Sequence, residues 1–194
     1  MFKMNKILSA SAFIAMVATG AANAAGTSGS GVVHFQGSIL NAPCSVQSDS
    51  LNQTVQFDAT NKNALLKAGA TGLTSGHKEF KIKLVDCPVD TTSATPIKVT
   101  FSGPTITDNP VLVAVNGPAN SGYGIHIKKD GTTGADVEMG KTITLGSLDN
   151  VNNSFEFNFT SYLQATSGAL ASEKPTPIDV GDFSADVTFT MSYV

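Results

Sequence analysis

From Phe183 to the end of the chain, apolar and polar residues alternate with a period of two. Phe183, Ala185, Val187, Phe189, Met191 and Tyr193 fall on one side, and Ser184, Asp186, Thr188, Thr190 and Ser192 on the other. That period predicts a β-strand with one buried face. The same alternation recurs upstream. Val33, Phe35, Gly37 and Ile39 oppose Val32, His34, Gln36 and Ser38; in 79–87 Phe80, Ile82 and Leu84 point inward and Lys81 and Lys83 outward; in 154–163 Phe155, Phe157 and Phe159 share a face. Shorter extended stretches are expected at 54–57, 96–101, 111–115, 123–128 and 142–145, and 58–70 is the one segment of helical character. Gly, Pro, Asn and Asp punctuate the spaces between them, as at Gly103-Pro104, Asn116-Gly117-Pro118 and Lys129-Asp130-Gly131. Many short strands with turn signals between them predict an all-β sandwich, with immunoglobulin-like topology, in one domain.

The first 24 residues stand apart. Lys3 and Lys6 precede an apolar run from Ile7 to Val17, and Ala22-Asn23-Ala24 is a small-x-small cleavage site. This is the pattern of a secretory signal peptide, and the run is too short to span a bilayer. Its removal takes the basic count from 12 to 10 against 15 acidic residues, a net charge of 10 − 15 = −5. With no basic run left, the charge argues against nucleic acid or an anionic membrane as a partner. Charged residues are only 14% of the chain, against about 25% in typical domains, and Thr, Ser, Asn and Gly fill the polar positions. A secreted chain with two cysteines, Cys44 and Cys87, is expected to join them in a disulfide.

Candidate chemistry is sparse. His34, His77 and His126 are isolated, with His34 and His126 expected at surface or cross-strand positions of their strands. Two cysteines and three scattered histidines make no metal-ligand spacing. There is no nucleophile elbow and no His-Glu-x-x-His pair, and the glycines of 26–31 lack the lysine of a phosphate-binding loop. Asp86, Asp90, Asp108, Asp130 and Asp136 sit near turns and read as turn formers. No enzyme, cofactor or metal site is expected.

Several stretches, taken in order, resemble one family. They are Gly31-Val-Val-His-Phe-Gln-Gly-Ser-Ile-Leu-Asn-Ala-Pro-Cys44, then Phe80-Lys-Ile-Lys-Leu-Val-Asp-Cys87, then Tyr123-Gly-Ile-His-Ile127, and the C-terminal alternation with tyrosine next to last. Across 25–194 the chain is similar to a chaperone–usher pilin of the type 1 fimbrial major-subunit kind. The resemblance implies an immunoglobulin-like sandwich lacking its final strand, with an open apolar groove beside the C-terminal strand. It implies a signal peptide at 1–24, a donor-strand extension at 25–37 and the pilin domain at 38–194.

The same resemblance implies a mechanism of assembly. Thr27, Gly29, Gly31, Val33 and Phe35 would share the donor face and enter the groove of a neighbouring subunit. Gly31 would sit where the groove is shallow, and Gly29 where exchange begins. Val187, Phe189, Met191 and Tyr193 would line the acceptor groove, and the Val194 carboxylate would anchor in the cleft of a periplasmic chaperone. An outer-membrane usher would carry out the exchange on the way to a fimbrium on the cell surface. The function implied is a structural, polymerising subunit supporting adhesion; a minor adaptor or tip-associated adhesive subunit of the same system is the alternative.

Overall fold

The computed structural model describes residues 31–37, 43–89, 95–117, 122–149, 151–173 and 176–194. The 1–24 segment, Thr27, Gly29 and Asp90 lie outside the described residues. The chain divides into two units, 1–39 and 40–194. In the first, 31–37 takes up no strand, against the alternation at Val33 and Phe35. Val32, Val33 and Phe35 are 81, 73 and 91% exposed. A lone extended segment has no ladder of its own, and an alternating pattern becomes a strand only where a neighbour supplies hydrogen bonds.

Among the described residues the second unit has nine strands. They are β1 (Ser45–Val46), β2 (Lys78–Val85), β3 (Pro96–Ser102), β4 (Thr105–Ile106), β5 (Asn109–Val113), β6 (Tyr123–Lys129), β7 (Thr142–Ser147), β8 (Phe155–Ala165) and β9 (Thr188–Ser192). Two short helices, α1 (Ser48–Leu51) and α2 (Lys62–Ala68), lie between β1 and β2. The Asn61 side chain caps α2 by accepting from the Asn63 N–H, and Gly69 ends it at φ +61°. The strands form a six-stranded sheet in the order β1-β2-β8-β6-β5-β4 and a three-stranded sheet in the order β7-β3-β9, antiparallel throughout.

The period-two pattern decides which side chains meet between the sheets. In the larger sheet Phe80, Ile82 and Leu84 of β2 stand opposite Phe159, Phe157 and Phe155 of β8. In the smaller sheet Val99 and Phe101 of β3 stand opposite Met191 and Phe189 of β9. The two inner faces interlock at Phe101 and Phe159, whose rings lie 5.1 Å apart, edge to face. The Cys44–Cys87 disulfide forms as expected and both cysteines are buried in this core. By the chain-entropy estimate, closing its 43-residue separation stabilises the fold by roughly 4 kcal/mol.

A second cluster of Leu65, Tyr123, Leu163, Ala165, Ala169 and Ile178 lies beside the first. Phe57 and Phe183 pack on it, 5.9 Å apart. Phe57 is thus half-buried from an irregular segment, and the strand expected over 54–57 is absent. Asp86, Asp108 and Asp130 are turn formers in fact, with φ of 54, 61 and 59°. Asp136 departs from expectation, lying in a bridge and not a turn, while His126 takes a cross-strand position opposite Tyr162. His126 is buried, with Nε2 2.9 Å from Asp136 Oδ1 and Nδ1 2.6 Å from Gln164 Oε1. Lys128 Nζ donates to the same Asp136 oxygen. The Tyr162 ring lies 5.1 Å from the imidazole, tilted at 45°. These residues occupy the face of β6 and β8 turned away from the main core, where the β6–β7 connection folds back and brings Asp136 over the sheet through a bridge to Lys128.

Candidate assembly edge

The C-terminal stretch does not run as one strand. Ser184 forms a two-hydrogen-bond bridge with Asn116, Asn116 N–H to Ser184 O at 2.8 Å and Ser184 N–H to Asn116 O at 2.9 Å, just beyond β5 of the larger sheet. Four residues later the chain pairs with β3 of the smaller sheet as β9. The strand expected over 183–194 is therefore shortened to Thr188–Ser192, because the chain crosses from one sheet to the other at 185–187. Gly103 marks that crossing: a Cβ there would lie 3.1 Å from the Asp186 carbonyl and 3.2 Å from Val187 Cγ2. The apolar side chains divide accordingly. Phe183 packs with Tyr123 in the second cluster, at 5.7 Å edge to face, and Ala185, Val187, Phe189, Met191 and Tyr193 pack on the main core.

β9 is the edge of its sheet. It has β3 on one side, and among the described residues no strand on the other. Val187, Phe189, Met191 and Tyr193 share the inward face and each is half-buried, touching core residues below. Phe189 lies 6.3 Å from Phe101. The four residues expected to form the acceptor wall are thus brought onto one face of one edge. Thr188 and Thr190, on the other face, are exposed. The Thr188 hydroxyl donates to Ser102 O at 3.2 Å and tethers the start of the strand to β3. Val194 is exposed at the chain end.

An edge of this kind has a definite chemistry. Alternate main-chain N–H and C=O groups of β9 point away from β3 and have no strand to bond. Beneath them lies an apolar wall only half covered. An added extended segment can satisfy both at once, ladder hydrogen bonds to the main chain and alternate side chains to the wall. Of the residues expected on the donor side, Gly31, Val33 and Phe35 fall within the described residues, where Val33 and Phe35 are exposed. Two features carry no signature in the alternation: the sheet crossing at 185–187, and the buried, unpartnered Tyr193 hydroxyl. Burial pushes the Tyr193 phenol above its ordinary range. Among the described residues no group of three or more His, Cys, Asp or Glu could hold a metal ion.

The family model "Fimbrial protein" matches residues 33–194. The chain is 35% identical to Long polar fimbria protein A of Salmonella typhimurium, over 99% of this chain and 98% of that protein. It is 35% identical to Fimbria A protein of Serratia marcescens over 98% and 99% of the two chains, and 32% identical to the Major MR/P fimbria protein of Proteus mirabilis over the same shares. In fold it matches a subunit of a chaperone–usher pilus, with a TM-score of 0.65 at 22% identity over 86% of this chain and 97% of that one. It also matches the P pilus rod subunit PapA, with a TM-score of 0.58 at 22% identity over 79% of this chain and all of that one. The fold is the incomplete immunoglobulin-like sandwich of the pilins, and the chain belongs to the fimbrial protein family.

Proposed function

We propose that this chain is a structural shaft subunit of a bacterial surface fimbria, whose copies join head to tail. The N-terminal extension of one copy, 25–37, lies along the free edge of β9 in the next and supplies the strand that the sandwich lacks. The observation that carries this reading is the half-buried apolar wall of Val187, Phe189, Met191 and Tyr193 beneath an unpaired strand edge. The exposed Val33 and Phe35 are its natural complement. Two relatives named as major fimbrial proteins, each matched over nearly the whole of both chains, support a shaft role over an adaptor or tip role.

The contact is heterologous, with different surfaces meeting on the two copies, so it propagates as an open filament. The joint resists dissociation kinetically, because a whole strand must leave before the subunits part. Before assembly the same edge requires temporary cover. A periplasmic chaperone supplies it and holds the Val194 carboxylate, and an outer-membrane usher exchanges that cover for the next subunit. The signal peptide at 1–24 directs the chain along this route.

Deletion of 25–37, with the signal peptide retained and the remaining assembly genes present, tests the reading. Filaments in electron micrographs and SDS-resistant ladders are expected to disappear. Their persistence at wild-type levels would show that the extension is not the missing strand.

A further inference from the structure

β2 presents a second edge with an apolar inner face. Its two-residue neighbour β1 pairs only with Leu84 and Val85, so among the described residues Lys78 to Lys83 have no strand on that side. Phe80 is half-buried on the inner face and Ile82 fully buried. By pattern alone this edge is as ready to take an extended segment as β9 is. The structure closes it with side chains. The Ser50 hydroxyl accepts from the Lys83 N–H at 3.0 Å and reaches Lys81 O at 3.5 Å. The Gln53 side-chain amide donates to Lys81 O at 2.9 Å, and the Gln47 N–H donates to Lys83 O at 2.9 Å. Both outward main-chain groups of Lys83 and the outward carbonyl of Lys81 are therefore taken.

Apolar packing does not hold α1 in this place. Four residues are too few for a helix to stand alone. The Gln47 N-cap makes no side-chain hydrogen bond, and Leu51 is 58% exposed. The one buried residue of the four is Ser50, at 3% exposure. A cavity of about 150 Å³, lined by Gln47, Asp49, Ser50, Gln53, Lys81 and Lys83, lies between α1 and β2, where a packed contact would leave none. Serine at the buried position contributes little to packing and much to hydrogen bonding with a strand edge. Lys81 and Lys83 add charge on the outer face, each paired with Glu156, at 3.1 and 3.0 Å. β9, Thr188–Ser192, carries no charged residue. Charge on an edge strand discourages pairing with a further strand.

We propose that Ser50 and Gln53 are specificity-determining residues for strand addition: their side chains occupy the β2 edge in place of a strand, and so direct the N-terminal segment of a second copy away from β2 and to β9. This rests on the strand-addition reading above. The test compares the full chain with its Ser50→Ala/Gln53→Ala variant, both kept dilute enough to remain monomeric. The probe is a peptide of residues 25–37 with a photo-cross-linker at position 34, on the face opposite Val33 and Phe35. In the free double variant the Lys83 amide is expected to exchange with solvent at least about tenfold faster than in the wild type. Added peptide should slow that exchange again in the variant and leave it unchanged in the wild type. Cross-links should fall at Thr188 and Thr190 alone in the wild type, and also at Lys81 and Lys83 in the variant. Gln53→Ala, at an exposed position, is measured in parallel and should show the second site at lower yield. If the double variant does not fold, absence of β2 cross-links in Gln53→Ala overturns the inference. Cross-links confined to β9 in a folded double variant also overturn it and leave strand addition intact, as does β2 labelling of the wild type alongside β9. A fall in melting temperature without a second site marks a purely structural role and counts against it equally. Failure of the peptide to reach β9 in the wild type would remove the strand-addition reading itself, and this inference with it.

Discussion

β8 and β9 carry the same sequence pattern and meet different fates. Each places bulky apolar residues at every second position, Phe155, Phe157 and Phe159 in one and Phe189 and Met191 in the other, with Val187 just before it. β8 runs for 11 residues with β2 on one side and β6 on the other, and Phe159 at its centre is 0% exposed. β9 runs for five residues with β3 as its one neighbour among the described residues, and not one of the five is fully buried. Alternation specifies which face of a strand is apolar. It carries no information on whether a second neighbour exists to complete the ladder and the cover. An apolar strand finished on both sides is core, and the same strand finished on one side is a place for something to bind.

That contrast can be broken at its strong end first. Phe159 stacks on Phe80 at 5.3 Å and meets Phe101 edge to face at 5.1 Å. Phe159→Ala is expected to cost about 3–5 kcal/mol, and a urea titration of the subunit should show the cooperative transition lost or moved far to low denaturant. Phe189→Ala should behave differently. Its half-buried ring gives up about 1–2 kcal/mol in the isolated subunit, so the fold survives. SDS-resistant polymer should nonetheless fall severely, because the wall that receives the added strand has lost its centre. If the two variants lowered monomer stability equally, β9 would be ordinary core and the contrast false.

The smallest effect belongs to the polar cluster on the far face of β6 and β8. Lys128 beside Asp136 holds that carboxyl below its usual range, against the opposing pull of burial, and His126 adds to the lowering. A carboxyl with a depressed folded-state value contributes fully above its unfolded value of about 4, and the contribution disappears as pH falls through the folded value. The Asp136 side chain is 51% exposed, so the effect is modest. Melting temperatures measured from pH 7 down to pH 2 should fall less steeply at the acid end for Asp136→Asn than for the wild type. Because this cluster is remote in sequence and sheet position from β9, filament yield at neutral pH should be unchanged.

Much of the fold was legible in the order of residues, since period-two patterns and turn chemistry are local. The strands at 78–85, 96–102, 123–129 and 155–165 fall where the alternation places them. What was not legible depends on contacts between distant residues. Phe57 reads as strand because its neighbours are β-formers, yet its partner is Phe183 and its backbone joins no sheet. From Thr160 to Leu163 every residue of β8 is buried. The alternation ceases to show there because Gly72 comes against the Tyr162 ring and the Leu73 N–H bonds Leu163 O. His126 reads as a surface or cross-strand histidine, and nothing local shows that the β6–β7 connection brings Asp136 to it. At the assembly edge, the pattern placed Val187, Phe189, Met191 and Tyr193 on one face. It could not reveal that the stretch crosses between sheets at 185–187 or that the Tyr193 oxygen would be buried alone.

The central claim is that the free edge of β9 is filled by the N-terminal segment of another copy. The most direct measurement replaces Phe35 with p-benzoylphenylalanine, an aromatic of similar shape, in filaments assembled from a mixture of nitrogen-15-labelled and unlabelled chains. After irradiation, mass spectrometry should find residue 35 joined to the apolar face of β9, at Val187, Phe189, Met191 or Tyr193, in peptide pairs that include one labelled and one unlabelled partner. Cross-links confined to partners of the same label, or falling on the far face at His126 and Tyr162 instead of β9, would contradict it.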